Sequence, residues 1–204
     1  MSQYFENDKR IKSKKEIRKV IINNKEFSFI TDNGVFSKKG LDYGTRVLLS
    51  CIPDDITGSV LDIGCGYGPI GIYVSKTYNV IPDMVDVNER SLKLTIENSK
   101  LNNVSTNVFI SDAFKNINKK YDYIITNPPI RVGKEKLYEI LFGCVEHLKK
   151  KGKLYFVINK DQGAKTVLRD LSEKYKTEIV KKDKGFFIIC VLSDWQVAGY
   201  LIKL

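Results

Sequence analysis

The sequence predicts an α/β protein: a doubly wound, mostly parallel seven-stranded sheet preceded by a β-hairpin. Three observations predict this. From Ser59 onward, short apolar runs alternate with amphipathic helical stretches, a pattern satisfied by parallel strands with helices on both faces. A glycine-rich turn, Gly64-Cys65-Gly66-Tyr67-Gly68, separates the first of these strands from the first helix. Two closing apolar runs flank Lys182-Asp183-Lys184-Gly185, a hairpin signal that fits a sheet ending in a reversed edge strand.

The elements follow in chain order. Residues 1–16 carry Lys9, Arg10, Lys12, Lys14 and Lys15 without periodicity and are expected to form a basic flexible arm. The β-rich runs 16–22 and 26–30 around Asn23-Asn24 predict the hairpin. Asp42 is placed to N-cap a helix running to Ser50. Strands are expected at 60–63, 80–87, 108–110, 121–126, 154–158, 177–181 and 186–192. A helix opens at Pro69, a first-turn position where the missing N–H costs nothing, and another covers 89–100. Leu137, Ile140, Leu141, Cys144, Val145 and Leu148 recur at helical spacing as one apolar face. The run Lys149-Lys150-Lys151-Gly152-Lys153 reads as the end of that helix, where positive charge is favoured. A last helix is expected at 161–175. The whole of 17–192 reads as one domain, and 193–204, with Trp195, is a tail with no assigned role.

Composition narrows the chemistry. The four cysteines (Cys51, Cys65, Cys144, Cys190) form no Cys-x-x-Cys pair, and His147 is the only histidine. A disulfide framework and a zinc site are therefore not expected, and reduced thiols suggest a cytoplasmic protein. His147 lies on the flank of a helix, where a boundary role explains it. No apolar run is long enough to span a bilayer and no signal-peptide core follows Met1, so a soluble chain is expected. The surplus of 34 Lys+Arg over 24 Asp+Glu, a formal charge of +10, tilts the partner towards a polyanion such as nucleic acid.

The glycine turn is the first candidate site. Ligands of α/β sheets bind at the carboxyl ends of strands, where Gly64, Gly66 and Gly68 allow sharp bending and close backbone approach. Gly66 to Gly71 also matches the dinucleotide pattern G-x-G-x-x-G. Here, however, Gly64 takes the post-strand position and Gly71 falls inside the helix. Asp62 suits an ammonium group better than a pyrophosphate, and no well-placed histidine offers hydride-transfer chemistry. Asp86, closing the second strand, is placed to accept from both ribose hydroxyls; a strand-end turn would also explain it. Asp112 could accept from an adenine amino group, or simply form a turn, and Phe114 could pack on the ring. With these residues the chain resembles the class I S-adenosylmethionine-dependent methyltransferases, over roughly residues 34–192. That resemblance implies a Rossmann-like methyltransferase sheet, S-adenosyl-L-methionine as cofactor, the methionine end in the 62–68 loop and the ribose at Asp86.

Thr126-Asn127-Pro128-Pro129-Ile130 is the second candidate site. Two prolines cannot continue a ladder and stiffen the turn, which fixes the Asn127 side chain and the Pro128 carbonyl as adjacent acceptors. A planar exocyclic amine offers two N–H donors. Accepting both in a fixed geometry turns its lone pair towards a methyl donor, so that catalysis rests on positioning and electrostatics. The motif resembles that of amino-methyltransferases acting on adenine, guanine or glutamine, with Ile130 in place of the usual aromatic residue. Gly34-Val35-Phe36-Ser37 and Leu41-Asp42-Tyr43-Gly44-Thr45 further resemble the small-subunit (16S) ribosomal RNA guanine-N2 methyltransferases, of which this chain matches the catalytic half. That resemblance implies Phe36 near the base and Thr45 near the cofactor; a hydrophobic staple and helix start would also explain these residues. Arg131, Lys134 and Lys136 could hold phosphates beside a flipped base or form a solvated helix start.

The expected function is methyl transfer to an exocyclic amino group of a base in RNA, guanine-N2 of 16S ribosomal RNA first. Ribosomal RNA or the small ribosomal subunit is the expected partner of a monomer without metal or membrane. Glutamine-N5 methylation of a translation factor, or a catalytically silent RNA-binding or ribosome-assembly module, are the alternatives.

Overall fold

The computed structural model describes residues 10–129 and 132–193. The sequence expectations for residues 1–9, Ile130, Arg131 and the tail beyond Ser193 lie outside the described residues.

Strands β1 (Glu16–Ile22) and β2 (Lys25–Thr31) form the expected hairpin, with Ile22 opposite Lys25. Asn23 and Asn24 between them have φ of 47° and 62°, the left-handed pair that a two-residue turn requires. Helix α1 (Tyr43–Leu49) starts at Asp42, whose side chain accepts from the Thr45 N–H. The main sheet then alternates with helices: β3 (Val60–Ile63), α2 (Pro69–Tyr78), β4 (Asp83–Asp86), α3 (Glu89–Leu101), β5 (Asn107–Ile110), β6 (Tyr121–Thr126), α4 (Lys134–Glu146), β7 (Leu148–Asn159), α5 (Ala164–Ser172), β8 (Lys176–Asp183) and β9 (Phe186–Leu192).

The seven strands lie in the order β5-β4-β3-β6-β7-β9-β8. The first five are parallel, and β9 runs antiparallel to both β7 and β8. The reversed strand is therefore second from the edge, not at the edge as the sequence suggested. Its composition explains this: β9 is almost wholly buried, whereas β8 alternates exposed Lys and Glu with half-buried positions and tolerates the edge.

Side chains of alternating parity divide the core between the two faces of the sheet. On one face the hairpin, α1, α2 and α3 enclose Phe27, Phe29, Leu48, Tyr73 and Val157; on the other, α4 and α5 cover Leu61, Ile124, Phe156 and Ile189.

Three departures from the sequence reading each have a local reason. Strand β4 begins at Asp83, not near Val80, because Pro82 has no N–H to give a ladder and offers only its carbonyl, to Asn107. Helix α4 stops at Glu146, and Leu148 already pairs with Tyr121 in the sheet. The lysine run 149–153 is thus the irregular start of β7 rather than a helix end, with Lys151 at φ 65° and a register shift between Tyr121 and Tyr123. The expected helix 161–175 is split at Gly163 (φ 87°) into a short 3-10 turn, Lys160–Gln162, and α5.

Among the described residues, no helix is long and apolar enough to cross a membrane.

Candidate active site

Four carboxyl-terminal strand ends converge on one side of the sheet. Gly64 follows β3, Asp86 ends β4, Asp112 follows β5 and Asn127 follows β6. Parallel order makes this convergence automatic, and a ligand crevice forms there.

The loop after β3 carries positive φ at Gly64 (72°), Gly66 (57°) and Gly68 (97°), a conformation costly for any residue with a Cβ. Gly71 lies within α2 rather than in the loop, as its place in the sequence predicts. A Cβ there would approach the Met84 Sδ to 2.5 Å, so this glycine serves close helix–sheet packing. The loop is held from two sides. Asp86 Oδ2 accepts from the Gly66 N–H at 2.9 Å and its Oδ1 from the Asn88 N–H at 2.9 Å. From α3, Thr95 Oγ1 donates to the Gly66 carbonyl (2.8 Å) and Asn98 Nδ2 to the Tyr67 carbonyl (2.8 Å). Asn98 and Asn102 also bond the outer edge of β2: their carbonyl oxygens accept from Ile30 N and Ser28 N, and their amides donate to the carbonyls of the same two residues. These polar positions on a buried helix face were not singled out in the sequence. Their signal is a spacing of three and four residues, Thr95, Asn98 and Asn102.

Asp62 points from β3 towards the start of α2. Its Oδ2 accepts from the Gly71 N–H at 2.9 Å, while the buried Oδ1 finds no donor among the described residues. Burial pushes its carboxyl up to about 8, the nearby Asp86 carboxylate adds to the rise, and the Gly71 N–H opposes it. Burial likewise raises Asp86, against the pull of three backbone N–H groups. Two carboxylates at the glycine loop, one with a free buried acceptor, form an incomplete electrostatic arrangement that a bound cation would complete. This fits S-adenosylmethionine: its ammonium would meet Asp62, and its ribose would reach the remaining lone pairs of Asp86.

The positions after β5 are arranged differently. Asp112 lies between Lys115 (2.6 Å) and Lys136 (2.7 Å), whose hydrogen bonds hold its carboxyl below the ordinary range. Any adenine amino group would have to compete with these lysines. Phe114 stacks on His147, ring centroids 4.2 Å apart and 16° from parallel, so one face of the ring is taken by the end of α4 rather than open to an adenine. A Cβ on Gly143 would come within 2.5 Å of this ring. Gly143→Ala is therefore expected to destabilise the fold by about 1–2 kcal/mol, overpacking of ~1–3 kcal/mol outweighing at most ~1 kcal/mol gained in helix propensity. Thermal unfolding of the variant checks this.

At the turn after β6, Thr126 Oγ1 donates to the Ile63 carbonyl at 2.7 Å, tying the turn to the start of the glycine loop. Pro129 Cδ lies 3.5 Å from where a Gly64 Cβ would be. The two candidate sites are thus one. Asn127 is half-buried and its Nδ2 donates to Thr45 Oγ1 (3.0 Å) and towards Asp42 Oδ1 and Oδ2 (3.3 and 3.4 Å). Pro128 is buried beside it. Thr45, expected near the cofactor, has its hydroxyl bonded to Asn127 and Asp42. Asp42, expected only as a helix cap, joins the site as well.

Phe36 is 49% exposed, on a segment anchored by buried Val35 and by Arg90 Nη1 donating to the Asn33 carbonyl at 2.7 Å. Lys134 opens α4, its Nζ 5.2 Å from the Tyr138 ring centroid. Lys136 is engaged with Asp112 and Glu139. The described end of the basic arm is tied down: Arg90 Nη2 donates to the Ile11 carbonyl, Ser13 Oγ to Asp32, and Lys15 pairs with Glu97.

A parallel sheet of this order, with a glycine loop after its first strand and an Asn-Pro-Pro turn after the fourth, defines a Rossmann-like methyltransferase. The chain belongs to the methyltransferase small domain family, whose model matches residues 26–190. It is 39% identical over 196 residues to the uncharacterised protein YbxB of Bacillus subtilis, covering 93% of this chain and 98% of that protein. To the ribosomal RNA small subunit methyltransferase C of Colwellia psychrerythraea it is 34% identical over 160 residues, which is 76% of this chain and 44% of that one. Among solved structures, the 16S rRNA N2 methyltransferase RsmC of Thermus thermophilus, in complex with AdoMet and guanosine, matches with a TM-score of 0.76 at 20% identity, covering 87% of this chain and 50% of that one. The chain thus spans half or less of these ribosomal RNA methyltransferases, and nearly all of the Bacillus protein.

Proposed function

We propose that this chain transfers the methyl group of S-adenosylmethionine to the exocyclic amino group of a base in RNA, guanine N2 of 16S ribosomal RNA before others. The observation that carries this reading is the Asn127 amide, held by its nitrogen and with no donor to its carbonyl oxygen among the described residues, on a turn packed against the glycine loop. The names of the methyltransferase C relatives and the guanosine complex support the choice of base and RNA.

When bound, S-adenosylmethionine supplies an electrophilic methyl group on a sulfonium. Asp62 and Asp86 would hold its ammonium and ribose, and the Gly64–Gly68 loop would let the backbone come close. Asn127 Oδ1 and the Pro128 carbonyl each accept one hydrogen of the target amine. This disfavours delocalisation of the nitrogen lone pair into the base and aims it at the methyl group. With the lone pair aimed in this way, in-line displacement at the methyl carbon would follow, with the sulfur as leaving group and the amine proton, acidic once the nitrogen is alkylated, passing to solvent. No strong base is required. Phe36 is assigned to the base, as the resemblance implies, and Lys134 to a phosphate.

The test is incorporation of labelled methyl into naked small-subunit RNA, assembled small subunits and bulk protein, followed by nucleoside analysis. The expected product is N2-methylguanosine. Label only in protein would replace this reading with glutamine methylation, and label nowhere would replace it with a silent RNA-binding module.

A further inference from the structure

We infer that Asp42 and Thr45 are positioning residues that decide which way round the Asn127 amide sits. This rests on the reading that Asn127 receives the target amine. An asparagine amide has nearly the same shape in its two flipped states, so only its partners choose between them. Here the partners form a chain with one direction. Thr45 Oγ1 donates to Asp42 Oδ2 at 2.5 Å, which leaves a hydroxyl lone pair for Asn127 Nδ2 at 3.0 Å. Both Asp42 oxygens also lie within 3.4 Å of Nδ2.

An ionised carboxylate only accepts hydrogen bonds, so a chain ending at Asp42 must point every donor towards it. Among the described residues, the one amide atom without a place in the chain is Asn127 Oδ1, on the side of the amide opposite to Nδ2. A flipped amide would set an oxygen against the carboxylate and offer the target amine two donors in place of an acceptor. Thr45 is 2% exposed and Asp42 is fixed as the cap of α1, its Oδ1 accepting from the Thr45 N–H at 3.1 Å. The polarity is therefore built into the fold before any substrate arrives. The two residues lie 85 and 82 positions from Asn127 in the chain. They touch no reacting atom and act only through Asn127.

Thr45→Val removes the hydroxyl while keeping shape, Thr45→Ser restores it, and Asp42→Asn keeps a competent helix cap but ends the chain in a group that can also donate. Thr45→Val and Asp42→Asn are expected to lower kcat about 10- to 100-fold, the weight of a hydrogen bond to a charged group, with KM and S-adenosylmethionine affinity held within about twofold and Thr45→Ser close to wild type. Loss of cofactor affinity in Thr45→Val with kcat retained would make Thr45 a cofactor contact and overturn the inference, as would unchanged kinetics. A second readout needs no activity: the side-chain amide protons of Asn127, assigned by their absence from the spectrum of Asn127→Ala, should be protected from solvent exchange in isotope-labelled wild type and Thr45→Ser, and exposed in Thr45→Val. If the wild-type chain methylates nothing, the proposed function fails by itself. Unprotected Asn127 amide protons in the wild type would overturn the positioning role.

Discussion

Substituting Asn127 by alanine is expected to lower kcat for methyl transfer about 10²- to 10³-fold, the usual cost of deleting one aligned polar group from a transition-state site. Affinity for S-adenosylmethionine should hardly change. The asymmetry follows from position. Asn127 sits after β6 and contacts α1 through Thr45 and Asp42, whereas the cofactor loop is held by Asp86, Thr95 and Asn98. Calorimetric titration with the cofactor, beside single-turnover kinetics on RNA, separates the two quantities. Turnover retained at a tenth of wild type or better would remove Asn127 from its assigned role.

The second large effect is at Asp62, and it has opposite signs for stability and for binding. The folded protein holds the Asp62 proton up to about 8, whereas the unfolded chain releases it near its ordinary value of 3.8. Between those values the folded state binds more protons, so this group makes the ligand-free protein lose stability as pH rises through that window. Asp62→Asn can still accept from the Gly71 N–H and carries no charge to bury. The variant is expected to melt higher than wild type at pH 8, to show a flatter pH dependence, and to bind S-adenosylmethionine about 10- to 100-fold more weakly for want of the counter-charge. For the wild type, binding near neutral pH should release protons, because the incoming ammonium favours the ionised carboxylate. Calorimetry in two buffers of different ionisation enthalpy measures that release. No proton release together with unchanged affinity in Asp62→Asn would sever Asp62 from the ammonium.

Both candidate motifs were readable in the sequence because each is local. Gly64 to Gly68 and Asn127-Pro128-Pro129 are contiguous runs, and parallel strand order alone brings their strand ends together. What the sequence hid was of two kinds. Contacts across many residues, such as Asp42 with Asn127, have no periodicity to betray them; Asp42 is a sufficient helix cap without its second contact. Competing partners were the other kind. Asp112 and Phe114 had the right residue types after β5, yet Lys115, Lys136 and His147 occupy their polar and aromatic faces. Two of the misplaced boundaries share a cause as well. An apolar or charged run continues across Glu146–Lys149 and across Gly163, while the backbone turns at both places. Leu148 keeps the helical spacing of α4 but points into the same core from β7.

Asn98 carries one more implication. Its single amide spans β2 and the glycine loop at once, accepting from Ile30 N and donating to the carbonyls of Ile30 and Tyr67. The hairpin is thus no detachable ornament. A chain cut after residue 32 and kept from that point on would leave this buried amide half-unanswered, at about 1–3 kcal/mol, and would slacken the backbone of the glycine loop. The family match beginning at residue 26, inside β2, is consistent with that boundary. The second strand thus belongs with the glycine-loop side of the sheet.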